Sequence, residues 1–151
     1  MLDESIIQLL KASIKKEGWI ELPASGLSMF PVLKNGDVCR FVRCEPASLS
    51  KGHIVLFELR GQLIAHRFIQ RLSTDDEDIF LFKGDTNLAV DEPVSEGRII
   101  GRLAVIRRSG NELGTSGAAF NLWGKLITGY PLLTIILRRF LYQKNRFSQK
   151  V

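Results

Sequence analysis

Ser28 lies in Gly26-Leu27-Ser28-Met29-Phe30-Pro31, just after a short apolar segment, Trp19 to Leu22. Ala24, Ser25 and Gly26 before it are small enough to let another backbone approach closely. That position suits an exposed nucleophile. A serine hydroxyl attacks poorly at neutral pH and needs a base to take its proton, and that base needs a third group to hold it. The chain offers two histidines, His53 and His66. His66 stands in Leu63-Ile64-Ala65-His66-Arg67-Phe68-Ile69, where strand alternation puts it on the face of Ile64 and Phe68. Taken alone, such a histidine reads as a hydrogen-bonded core residue. Asp85 and Asp91 follow in Lys83-Gly84-Asp85-Thr86-Asn87-Leu88-Ala89-Val90-Asp91, which alone reads as an ordinary Gly-Asp turn. A carboxylate on one imidazole nitrogen would leave the other free to receive the serine proton.

The elements that must position these groups are short strands. Asn35-Gly36-Asp37 is a turn signal before Val38–Val42. The segments 53–58 and 62–71 flank Arg60-Gly61 as a hairpin, and 79–82 and 98–107 are further strands. There is no βαβ alternation, so the pattern predicts a mainly β, antiparallel domain over residues 19–109. Residues 1–18 form an N-terminal element. Within it 3–17 read as an amphipathic helix, with Leu2, Ile6, Leu9, Leu10 and Ile14 on one face and Gly18 as its stop. Residues 110–151 form a third part: a flexible connection (110–116), a 21-residue apolar stretch (117–137) and a basic tail. That stretch is long enough to span a bilayer as a helix, but Lys125 lies inside it and Gly129 and Pro131 would kink it. An interfacial helix drawn to anionic lipid and a helix docked on the domain's own sheet both remain open.

Composition removes several classes. At 151 residues with 45% apolar and 25% charged residues, the chain is globular and the length of one domain. The net charge of +5 comes from Arg138, Arg139, Lys144, Arg146 and Lys150, which leaves 16 basic against 16 acidic residues in 1–137. A neutral body argues against a nucleic-acid face. Cys39 and Cys44 are five apart and suit neither a mutual disulfide nor a zinc set, so a reduced, cytosolic setting is favoured. The N-terminus lacks a charged segment followed by an apolar one, so no secretory signal is expected there. No metal or organic cofactor is suggested.

Four boxes in order give these residues a shared context. Gly26-Leu27-Ser28-Met29-Phe30-Pro31 resembles the nucleophile box G-x-S-M-x-P of type I signal peptidases. Asn35-Gly36-Asp37-Val38 and Gly52-His53-Ile54-Val55 resemble the turn-and-strand segments that follow it, with His53 in place of the usual aspartate. Ala65-His66-Arg67-Phe68-Ile69 is similar to the His-Arg box of the Ser-His branch, found in endoplasmic-reticulum and archaeal signal peptidases; LexA-type repressors and the commoner bacterial branch use a lysine there. Lys83-Gly84-Asp85-Thr86-Asn87 with Asp91 resembles the K-G-D-x-N…D box.

The resemblance implies a signal-peptidase/LexA-like β fold and a serine endopeptidase that cuts an extended peptide or preprotein after small residues. Ser28 would be nucleophile, His66 base, and Asp91 or Asp85 the orienting acid. Gly26, Met29 and Pro31 would belong to the oxyanion and substrate-binding segment. Gly26 replaces a serine that some members use as a second oxyanion donor, so that donor must come from elsewhere. The apolar C-terminal region implies membrane association, expected to be peripheral and at the cytoplasmic face. A silent peptide-binding module of the same fold and a self-cleaving repressor are the competing readings. The 27 residues before Ser28 are too few for a helix-turn-helix domain, which disfavours the latter.

Overall fold

The computed structural model describes residues 2–148. Asp3 caps the first helix, α1 (Glu4–Glu17), by accepting from Ser5 N–H, and Gly18 ends it in the left-handed conformation. Lys15 and Lys16 occupy the last turn, where the helix dipole favours cations. The buried face differs from the one expected. Ile7, Leu10 and Ile14 pack inward, whereas Ile6 and Leu9 are exposed. Residues 7, 10 and 14 form a narrow stripe at helical spacing, and Ile6 and Leu9 fall outside it.

The strands are β1 (Trp19–Pro23), β2 (Val38–Val42), β3 (Ile54–Leu59), β4 (Gln62–Ser73), β5 (Asp78–Lys83), β6 (Val94–Ser95), β7 (Ile99–Arg108) and β8 (Asn111–Gly114). They form one antiparallel sheet in the order β1-β2-β7-β3-β4-β5-β6, with β8 added to β7. β3 sits near the middle as a continuous apolar run, Ile54-Val55-Leu56-Phe57, buried on both faces. Ile54 and Leu56 join a core with Ile14, Met29, Cys39, Phe41, Leu103 and Ile106. Val55 and Phe57 join a second one with Phe68, Phe80, Phe82 and Val94.

Residues 110–116, expected to be a flexible connection, instead begin with a strand. Ser109 and Gly110 both have positive φ, the conformation of a two-residue hairpin turn whose twist matches its strands. Arg60-Gly61 does the same between β3 and β4. The apolar region divides into α2 (Ala118–Gly129) and α3 (Pro131–Ser148), which meet at 100°. Pro131 begins α3, where its missing N–H costs nothing. No single helix among the described residues is long and apolar enough to cross a membrane, although the bent pair passes by length and composition. Lys150 lies outside the described residues.

Candidate active site

Ser28 sits in the turn after β1, close to Gly26, whose φ of 83° is open to glycine. His66 projects from β4 and packs edge-on against Phe57 of β3. Ser28 Oγ lies 3.0 Å from His66 Nε2, and His66 Nδ1 lies 2.5 Å from Asp91 Oδ2. An ionised carboxylate can only accept, so Nδ1 carries the proton and the Nε2 lone pair faces the serine hydroxyl. Asp91 is itself held by its N–H donating to Phe82 C=O at the end of β5.

Asp85 does not reach His66. Its two oxygens accept from Arg67 Nε at 2.8 Å and Nη2 at 2.7 Å, and Trp123 Nε1 donates to the second at 3.1 Å. Arg67 also donates to Gly52 C=O at 2.8 Å, and both members of the pair are buried. The sequence left two acids open for one task; they have two tasks. The Asp85 turn packs tightly on the Ser28 turn. Thr86 N–H donates to Ser28 C=O at 3.0 Å, Thr86 Oγ1 to Leu27 C=O at 3.1 Å, and a Cβ at Gly84 would lie only 3.0 Å from Ser28 C=O.

A groove of about 570 Å³ opens beside Ser28 and His66. One wall is Leu22 to Gly26 and the other Gly61 to Ala65, and its floor includes Met29, Leu33 and Phe41. The sheet therefore curls until the outer edge of β1 faces β4. Both walls carry free backbone. On β4, Phe68 bonds through its N–H and C=O to His53 and Gly52, the residues that lead into β3, so by alternation Leu63 and Ala65 turn theirs the other way, where β5 begins to pair only at Arg67. On β1, Gly18 and Ala24 bond toward β2 and its flanking turn, so Glu21, Pro23 and Ser25 face outward. Leu2 N–H donates to Gly61 C=O at one end of the groove.

Of the segment expected to bind substrate, Gly26 and Met29 line this groove. Pro31 does not; it follows a cis peptide bond after Phe30 and lies outside the lining. Asn87 does line it, beside Ser28. Asn87 has no role among the sequence expectations, and neither do Trp123, Thr134 and Arg138, which bond Asp85 and Thr86. The signal for Thr134 was a lone hydroxyl in an apolar run, 132–137. His53 Nδ1 accepts from Ser50 N–H at 3.1 Å, and burial with the nearby Arg102 charge keeps its pKa low. Cys39 and Cys44 are free thiols; burial pushes Cys39 up to about 11, with Asp37 adding to the shift, so at neutral pH it is an inert thiol under the groove. No protein-family model matches the chain, and no curated protein matches it.

Proposed function

We propose that this protein is a serine endopeptidase of the signal-peptidase type, with a signal-peptidase/LexA-like fold. The observation that carries the reading is the Ser28–His66–Asp91 relay at the mouth of a groove with two free strand edges. An extended peptide would fill the gap between β1 and β4 as an added strand, bonding to Leu63 and Ala65 on one side and Pro23 and Ser25 on the other. Its scissile carbonyl would then lie over Ser28, after small residues that fit the confined space between the walls.

Ser28 Oγ attacks the carbonyl carbon as its proton passes to His66 Nε2. The oxyanion is held by Ser28 N–H, and the Asn87 amide, which lines the groove beside Ser28, is the second donor this reading assigns. Collapse breaks the C–N bond, and Nε2–H protonates the leaving amine. The resulting acyl ester on Ser28 is attacked by a water that gives its proton to Nε2, which returns it to Oγ as the acid leaves. Asp91 stabilises the imidazolium throughout. The reading also includes a peripheral membrane location at an anionic, cytoplasm-facing surface, supported by the exposed apolar and basic residues of α2 and α3.

The test is cleavage of a peptide library and labelling by a fluorophosphonate, using purified wild type, Ser28→Ala, His66→Ala and Asn87→Ala. Wild type is expected to cut after small residues and to label. Ser28→Ala should do neither, His66→Ala should lose nearly all activity, and Asn87→Ala should lose about 10²-fold in kcat. A wild type that binds peptide but neither cuts nor labels would make the domain a silent binding module.

A further inference from the structure

We infer that the C-terminal helices are part of the catalytic apparatus, and that Thr134 and Arg138 of α3 and Trp123 of α2 are positioning residues for Ser28 and His66. This rests on the peptidase reading above. Asp85 and Thr86 are only 3% and 6% exposed. Their polar groups divide between two sets of partners. Toward the nucleophile turn, Thr86 bonds Ser28 C=O and Leu27 C=O. Toward the helices, Asp85 C=O accepts from Thr134 Oγ1 at 3.0 Å, Thr86 C=O accepts from Arg138 Nη1 at 3.2 Å, and the Asp85 carboxylate accepts from Trp123.

Water has little access to the buried Asp85 and Thr86 acceptors, least of all at the Thr134 bond, so these partners fix geometry as well as satisfy a group. α3 also reaches the nucleophile turn directly. Phe140 stacks on Phe30, two residues after Ser28, with ring centres 6.0 Å apart, and Lys144 Nζ lies 5.9 Å from the same ring. One helix thus grips both the nucleophile turn and the turn that leads to Asp91. The 3.0 Å Ser28–His66 distance depends on how these turns sit against each other. Thr134 is the most informative member. It is 1% exposed in an otherwise apolar stretch, and its hydroxyl bonds Asp85 C=O.

The test uses the full chain and compares wild type with Thr134→Val, Thr134→Ser and Arg138→Gln. Valine keeps the shape and removes one hydroxyl. For Thr134→Val the expected result is a fall of about ten- to a hundredfold in kcat with KM for a peptide unchanged, matched by slower fluorophosphonate labelling. Thr134→Ser, which keeps the hydroxyl, should recover most of the rate. A second readout needs no turnover: the downfield His66 Nδ1–H proton resonance, assigned by its loss in His66→Ala. It should weaken through faster exchange in Thr134→Val and persist in Thr134→Ser. Arg138 is on the surface, so Arg138→Gln decides the matter should Thr134→Val not fold. Variants that match wild type in kcat and in the His66 resonance would overturn the inference. A wild type that neither cleaves nor labels would overturn the peptidase reading instead, and the His66 resonance would still decide whether the helices position the histidine.

Discussion

His66 and Arg67 are neighbours on one strand, so their side chains leave the sheet on opposite faces. Each needs an acid on its own side, and the loop after β5 supplies both: Asp91 for His66 and Asp85 for Arg67. That geometry gives the two acids opposite signatures. Asp91→Asn leaves the packing intact but offers His66 an amide, which can stabilise the tautomer with Nδ1 unprotonated. The expected outcome is a loss of about 10⁴-fold in kcat with unchanged thermal unfolding, as in other triads. Asp85→Asn leaves the buried Arg67 guanidinium without a counter-charge, which costs about 3–5 kcal/mol. At about 2–4 °C per kcal/mol for a chain of this size, calorimetry should show a drop of roughly 6–20 °C in Tm. Exchanged outcomes, with Asp85→Asn silent in Tm and Asp91→Asn destabilising, would reverse the assignment.

Between elements, Asp37 is the tie that brings the end of β7 under the Ser28 turn. It accepts from Arg108 Nε at 2.7 Å and Nη2 at 2.6 Å and from Lys34 N–H at 2.8 Å, and Arg108 also donates to Val32 C=O at 2.9 Å. Burial pushes the Asp37 carboxyl up, but these hydrogen bonds and the Arg108 charge outweigh it and leave the pKa below the ordinary value. With the native pKa below the unfolded one, the contribution is complete above about pH 4. It fades as pH falls through the lower native value. Asp37→Asn should therefore cost about 2 kcal/mol at pH 7 in urea unfolding, and the difference from wild type should shrink below pH 4. A difference that stays constant with pH would mean packing alone. Legibility at this level followed the locality of the signal. β2 was read to the residue, because its turn and apolar alternation are local. β8 was lost because Ser109-Gly110-Asn111 looks like loop composition, and only its pairing with β7 makes 111–114 a strand. The α1 face differs because helical spacing allows several stripes through Leu10 and Ile14, and packing buries the one that contains Ile7 rather than the one that contains Ile6 and Leu9. The triad was legible as residue types, but the choice between Asp85 and Asp91 needed the two faces of β4.

Among the described residues, the C-terminal helices leave an apolar surface uncovered. α3 turns Leu133, Thr134 and Leu137 toward the domain and Leu132, Ile135 and Ile136 away from it, with Leu132 71% exposed. Further along the outward side come Arg139 and Arg146. Tyr130 at the corner with α2 and Leu122 within α2 are also exposed. Apolar residues followed by basic ones fit a bilayer that carries negative charge, where each cation near the surface contributes about 1 kcal/mol and each apolar side chain, once buried, about 1.5–3 kcal/mol. Wild type should therefore float with phosphatidylserine-containing vesicles, bind phosphatidylcholine vesicles more weakly, and weaken further as salt rises. Leu132→Glu with Ile136→Glu should abolish flotation while leaving peptide cleavage in detergent unchanged, because these side chains point away from the Asp85 turn. Light scattering on the same samples separates the other occupant: a wild type that dimerises in buffer and ignores vesicles would make this face a contact between copies. The inner side of α3 bonds Asp85 and Thr86 while its outer side would rest on lipid. A surface that seats the helix would thereby hold the Ser28 turn against His66, and on the proposed reading the vesicle-bound protein should cleave a membrane-tethered peptide faster than the same peptide free in solution.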